Sequence, residues 1–91
     1  VGYIPIRRAI YMTLKETIAK RIMDLCESRG ISYYSLAMSC GIDKSTIYSI
    51  LGNKSKSPEV STIKKICDGF EITLGEFFST KDFDDLEQEI K

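Results

Sequence analysis

Apolar residues recur at the spacing of a helix face in successive stretches of this chain, and each stretch opens on a capping residue. Leu14, Ile18, Ile22, Leu25 and Cys26 form the first face. Thr13 and Glu16 ahead of it match a capping box, in which each side chain satisfies an amide the other leaves open. Gly30 supplies a left-handed stop, so a helix is predicted over 14–29. Lys15, Lys20, Arg21, Asp24 and Glu27 fall on its other side and read as a solvated surface. A second helix is capped by Ser32 and buries Leu36, Ala37 and Cys40, with Ala37 small where another helix must cross closely.

Gly41 then lets the chain turn with positive φ, Ile42 plugs the turn into the core, and Asp43 caps a third helix. Ile47, Ile50 and Leu51 point that helix inward. Lys44, Ser45, Tyr48, Ser49 and part of Thr46 are left outward. Residues 52–58, GNKSKSP, form a loop rich in turn formers and basic side chains. Val60, Ile63, Ile66, Cys67 and Phe70 predict a fourth helix over 60–69, with Gly69 loosening its end. A second capping box, Thr73 with Glu76, starts a fifth helix whose Leu74, Phe77 and Phe78 close the core. Asp82 is expected to cap a last helical stretch, DFDDLEQEI, with Phe83, Leu86 and Ile90 on one side.

The expected fold is all-α: a compact five-helix bundle containing a helix-turn-helix, with a short C-terminal helical tail and an N-terminal arm. Residues 1–12 form the arm, 13–79 the helical domain and 80–91 the acidic tail. Pro5 and Gly2 argue against a helix in the arm. Arg7 and Arg8 there could reach a phosphate or a minor groove; the alternative is a loosely packed extension.

Composition narrows the function. Ninety-one residues, 43% of them apolar, suit one soluble globular domain. No apolar run approaches the ~18 residues that span a bilayer. The opening VGYIPIRRAIYM lacks the apolar block of a signal peptide, so a cytoplasmic protein is expected. Cys26, Cys40 and Cys67 lie 14 and 27 residues apart, with no CxxC pair and no His, which argues against a metal site. They read as buried reduced thiols, with a redox switch as the sharper alternative. The net charge is zero, but residues 1–66 carry 11 Lys/Arg against 5 Asp/Glu, and residues 67–91 carry 2 against 8. A basic body with an acidic tail still presents a positive face to phosphate. Without His, a glycine-rich phosphate loop or paired carboxylates in a cleft, an enzyme is not expected, and no cofactor is implied.

Residues 32–78 carry a family pattern. Ser32, Leu36-Ala37, the turn Gly41-Ile42-Asp43, Ser45-Thr46-Ile47-Tyr48 and Gly52-Asn53-Lys54 through Pro58 stand in the order expected of one family. Residues 66–78, ICDGFEITLGEFF, continue it. With the first helix, roughly residues 14–78 resemble the XRE family of helix-turn-helix regulators, the Cro/CI phage-repressor type. Three departures stand out. Tyr33 occupies the position where the family often has a phosphate-binding Gln. Cys26 and Leu51 replace a frequent Arg–Glu pair, and are expected to lie close together. Gly52-Asn53 reverses the usual Asn-Gly order.

The resemblance implies a sequence-specific DNA-binding regulator, most simply a repressor, whose third helix enters the major groove. Lys44, Ser45 and Ser49 match the family's main base-reading positions; Thr46 and Tyr48 are placed to pack on a thymine methyl. Ser32, Tyr33 and Tyr34 at the start of the second helix, and Asn53, Lys54 and Lys56 in the loop, are the phosphate-binding candidates. The partner is double-stranded DNA, and regulators of this kind usually act as two-fold dimers. Phe83, Leu86 and Ile90 are candidates for a homodimer contact; alternatively the tail packs on the first helix. A competing reading is an antitoxin-like module whose acidic tail engages a protein partner.

Overall fold

A computed structural model describes residues 12–52, 57–88 and 90. Among these, the chain forms six helices and no strand: α1 (Leu14–Arg29), α2 (Tyr33–Cys40), α3 (Lys44–Leu51), α4 (Val60–Phe70), α5 (Leu74–Phe77) and α6 (Lys81–Asp84). The expected bundle of five helices and a short helical tail is what forms. The expectations for residues 1–11 lie outside the described residues.

Three connections, α1–α2, α2–α3 and α4–α5, share one construction. Gly30, Gly41 and Glu71 each take a left-handed conformation, with φ of 64°, 69° and 61°. The next residue in each case is an isoleucine: Ile31, Ile42 or Ile72. Its amide donates back to the carbonyl of Cys26, Ala37 or Cys67, at 3.1, 3.2 and 3.0 Å. That bond marks a Schellman motif, which satisfies a helix's terminal carbonyls and drops the following apolar residue onto the core. All three isoleucines pack against it. The residue after each isoleucine, Ser32, Asp43 or Thr73, is the N-cap of the next helix. One residue stops a helix, one anchors the turn and one starts the next helix.

The core is built by Ile18, Ile22, Leu25 and Cys26 of α1, Leu36 and Ala37 of α2, Ile47 and Ile50 of α3, Ile63, Ile66, Cys67 and Phe70 of α4, and Phe77 of α5. The α2 helix packs against α3 and, more extensively, against α4, while α1 braces α3. Cys26 lies within this cluster and Leu51 packs onto it, so both apolar replacements join one core. Cys40, expected inside, is only half-buried.

Several local expectations change. Helix α4 runs through Gly69 and ends after Phe70, with Glu71 rather than a glycine in the left-handed position. A Cβ on Gly69 would lie 2.5 Å from Cys40 Sγ, so Gly69 is the site where α2 crosses α4. Asp43 has the extended backbone of an N-cap, but its side chain makes no capping bond. The tail helix starts after Thr80 rather than at Asp82, and stops at Asp84 instead of continuing to Ile90. Phe83 turns inward against Phe77 and Phe78, with ring centroids 6.1 and 4.9 Å away. Asp82 reaches Lys20 of α1 at 3.5 Å. The first part of the tail thus packs on the body, and Ile90 is left exposed.

Three cations of α1 act across the fold. The Lys15 ammonium donates to the Ile50 carbonyl at 2.9 Å and also to that of Gly52. Arg21 donates to the carbonyls of Phe77 and Glu76, each at 2.8 Å. Arg29 donates to the Phe70 carbonyl at 2.6 Å and lies over the Phe70 ring. Each cation sits at the C-terminal end of a helix, where the last carbonyls lack partners within the helix and the negative end of its dipole lies. Reading Lys15 and Arg21 as merely solvated was therefore incomplete.

Candidate nucleic-acid interface

The α3 helix divides cleanly. Ile47 and Ile50 are buried and Leu51 is half-buried, which fixes the helix against α1 and α2. Lys44, Ser45, Tyr48 and Ser49 are exposed, and Thr46 is half-buried at the edge. These are the five residues proposed from sequence as base readers, and they lie on one helix only eight residues long. Lys15 ties the C-terminal end of that helix to α1, so the exposed face is carried on a fixed rod.

Two adjacent tyrosines of α2 reach across to this face. Tyr34 is 54% exposed, and the Lys44 ammonium lies 5.8 Å from its ring centroid. Tyr33 is half-buried against the core and meets Tyr48 edge to face, centroids 6.1 Å apart at 89°. Tyr48 itself is 51% exposed. The three tyrosines named as DNA-contact candidates therefore divide: Tyr34 and Tyr48 present their rings, whereas much of the Tyr33 surface is taken up by packing.

Ser32 caps α2. Its hydroxyl accepts the Ser35 amide at 3.0 Å and donates to the Ser35 hydroxyl at 3.1 Å. Asn53, Lys54 and Lys56 lie outside the described residues, so of the phosphate-binding candidates the structure locates Ser32, Tyr33 and Tyr34, all at the start of α2.

Behind the Tyr33–Tyr48 pair, an open groove of about 480 Å³ is lined by Met23, Asp24, Glu27, Ile31, Tyr33 and Tyr48. Its α1 wall bears two carboxylates, which repel a phosphate backbone. The polar face of α3 and the first turn of α2 lack acidic side chains, with Asp43 at the turn between them.

The thiols carry no chemistry toward this face. Burial raises the pKa of Cys26 and Cys67. Cys40 is pushed up to about 11, first by burial and then by neighbouring Cys26. All three are free cysteines held as neutral thiols. No group of metal-ligating side chains occurs among the described residues. Within the same limits, no helix is long and apolar enough to cross a membrane.

Sequence reading found the five α3 side chains and missed their supports. Lys15 and the Tyr34–Lys44 contact depend on how helices cross, which periodicity does not reveal. In the structure Gly52 is extended at φ −82° and ψ 175°, so α3 has no left-handed stop and Lys15 supplies the donor to its end, although a glycine at that place in the sequence suggests the opposite.

A short helix packed against α3 across a tight glycine turn, with a polar outer face on α3, defines a helix-turn-helix protein. The chain belongs to the family of the Cro/C1-type HTH DNA-binding domain, whose pattern matches residues 21–82. The resemblance to XRE regulators is thus borne out. The crystal structure of the prophage Lp1 protein 11 superposes with a TM-score of 0.74 at 24% identity, covering 81% of this chain and 97% of that one, a likeness of fold. An HTH_3 family transcriptional regulator from Vibrio cholerae superposes with a TM-score of 0.67 at 31% identity. That match covers 75% of this chain and 38% of the regulator. No curated protein sequence matches the chain.

Proposed function

We propose that the protein is a sequence-specific transcriptional regulator, acting most simply as a repressor, that inserts α3 into the major groove of duplex DNA. The observation that carries this reading is the division of α3, with Ile47 and Ile50 buried and Lys44, Ser45, Tyr48 and Ser49 together on the outside. An α-helix fits the major groove, where every base pair presents a distinct set of donors and acceptors. Lys44 donates to guanine O6 and N7. Ser45 and Ser49 donate or accept, and Thr46 and Tyr48 contribute apolar contact to a thymine methyl. One well-placed contact discriminates by ~1–3 kcal/mol; these side chains are mostly short, so each half-site is read modestly.

The first turn of α2 and the basic segment 53–56 hold the phosphates, through Ser32, Tyr34, Asn53, Lys54 and Lys56, with Tyr33 contributing mainly by packing. Phosphate contacts set register and salt dependence without reading sequence. Two copies on a palindrome, half-sites about one DNA turn apart, supply the specificity that one domain lacks. Since Phe83 is engaged within the chain, the dimer contact lies elsewhere than a face built on Phe83. The site of action is the cytoplasm.

The test is a titration of labelled protein with duplex DNA at low ionic strength. The amide signals of Lys44 to Ser49 are expected to move together; signals that stay in place remove α3 from the interface. Sedimentation of the protein with and without a palindromic duplex then reports the stoichiometry, two copies per site being expected.

A further inference from the structure

The Lys44 ammonium lies over the Tyr34 ring, and we propose that Tyr34 is a positioning residue that makes Lys44 a reader of bases rather than a generic phosphate contact. The inference rests on the proposed reading of DNA by α3 and specifies how that face obtains its selectivity.

The argument starts from the lysine. A four-carbon stem with a compact charge at its tip has many rotamers, and an unheld ammonium pairs readily with any nearby phosphate. Such a contact is blind to sequence. Lys44 is also the first residue of α3, at the positive end of the helix dipole, where a cation is disfavoured. Something must hold it there for it to favour one position. The negative face of an aromatic ring within about 6 Å does so, and the Tyr34 centroid is 5.8 Å away.

The geometry of α2 makes the holder dependable. Ser32 caps that helix, so the backbone of its first turn is fixed. Tyr33, the preceding residue, is packed against the core and against Tyr48. The neighbouring tyrosines thus brace two different outward side chains of α3, Tyr33 bracing Tyr48 and Tyr34 bracing Lys44. A ring covers one side of an ammonium, which keeps donors on its other sides for guanine O6 and N7. The ring contact and the base contact are therefore compatible.

The test is selection of bound duplexes from a random pool, with affinities then measured on the preferred site and on unrelated DNA. Four proteins are compared: wild type, Tyr34→Phe, Tyr34→Leu and Lys44→Met. Lys44→Met is expected to abolish the preference at one base pair of each half-site. Tyr34→Leu is expected to weaken the preference at that same base pair by about two- to five-fold, the worth of an exposed cation–π contact, and to leave other positions as they were. Tyr34→Phe, which keeps the ring and drops the hydroxyl that meets phosphate, is expected to bind all duplexes somewhat more weakly but to keep the wild-type preference at that base pair. Thermal melting confirms that all four fold, as suits an exposed ring.

If Lys44→Met relaxes a position and Tyr34→Leu does not, the positioning role fails while base reading by Lys44 stands. If Tyr34→Phe loses the preference at that base pair as Tyr34→Leu does, the hydroxyl matters rather than the ring, and the inference is overturned. If Lys44→Met changes no preference, base reading by Lys44 falls and the positioning role falls with it.

Discussion

The Cys40 thiol occupies the space above Gly69, where α2 crosses α4. A Cβ built on Gly69 would stand 2.5 Å from Cys40 Sγ, 3.4 Å from its amide nitrogen and 3.5 Å from its Cα. The sulfur is the obstacle, since the other two separations are close to ordinary contact. Replacing Gly69 by Ala is expected to destabilise the fold by ~1–3 kcal/mol through overpacking, partly offset by the ~1 kcal/mol of helix propensity that Ala gains over Gly. With Cys40→Ala in the background, the same change is expected to become neutral or stabilising. Urea denaturation of the two single variants and the double variant measures the coupling; equal costs in both backgrounds would show that the sulfur is not what excludes a side chain.

Glu71 ends α4 with φ 61°, and it is the only described non-glycine residue with positive φ. Its counterparts at the ends of α1 and α2 are Gly30 and Gly41. A side chain in this conformation costs roughly 1–2 kcal/mol, while glycine's extra freedom in the unfolded chain returns about 0.4–1 kcal/mol of that. Glu71→Gly is therefore expected to stabilise the protein slightly, by up to about 1 kcal/mol. A rise in the thermal midpoint checks it, and a fall would mean that the Glu71 side chain makes a contribution larger than its strain.

The contrast between these positions shows what the sequence could disclose. Helices α1 and α2 were legible because their caps are local: Thr13 with Glu16, Ser32, Gly30 and Gly41 act within a few positions of themselves; α3, where Asp43 makes no capping bond, was legible from its apolar spacing. The outward face of α3 was legible for the same reason, as the remainder after Ile47, Ile50 and Leu51 turn inward. Gly69 was misread because a glycine near a helix end has two explanations, and only the crossing with Cys40 separates them. Glu71 gave no sign, since nothing about a glutamate announces a left-handed backbone. In the tail, the Asp82 cap and the spacing of Phe83, Leu86 and Ile90 suggested a longer helix, but the packing of Phe83 on Phe77 and Phe78 fixes only its first turn. Tyr33 looked like a phosphate ligand because its burial depends on Tyr48, fifteen positions away.

Lys15 is expected to matter more than a surface lysine ordinarily does. Its ammonium bonds to the Ile50 and Gly52 carbonyls at the end of α3. Hydrogen bonds to a charged group contribute about 1.5–3 kcal/mol when well sheltered, and this pair is partly exposed, so Lys15→Met is expected to cost ~1–2 kcal/mol. The loss should concentrate on α3. Hydrogen exchange at the amides of Ile50 and Leu51 is expected to accelerate more than exchange in α4. A uniform increase across both helices would instead indicate a general loss of packing.

The three thiols make a prediction about pH. In the folded protein Cys40 is held at about 11, above its ordinary 9.0, by burial and by nearby Cys26; burial raises Cys26 and Cys67 in the same direction. In the unfolded chain all three revert toward the ordinary value. Below pH 9 both states keep their thiol protons, so the full stability is present. Between about 9 and about 11 the unfolded state loses its Cys40 proton while the folded state retains it. The unfolded state then binds fewer protons, and stability falls as pH rises. Denaturation midpoints are expected to drop across this interval, and the drop is expected to be smaller, though still present, in Cys40→Ala. The neutral folded thiol should also react slowly with alkylating agents at pH 8 and become fast once the chain is unfolded in urea. An identical alkaline drop in the variant would place the cause in groups other than Cys40, and rapid modification of Cys40 in the native protein would show that its sulfur is not sheltered between α2 and α4.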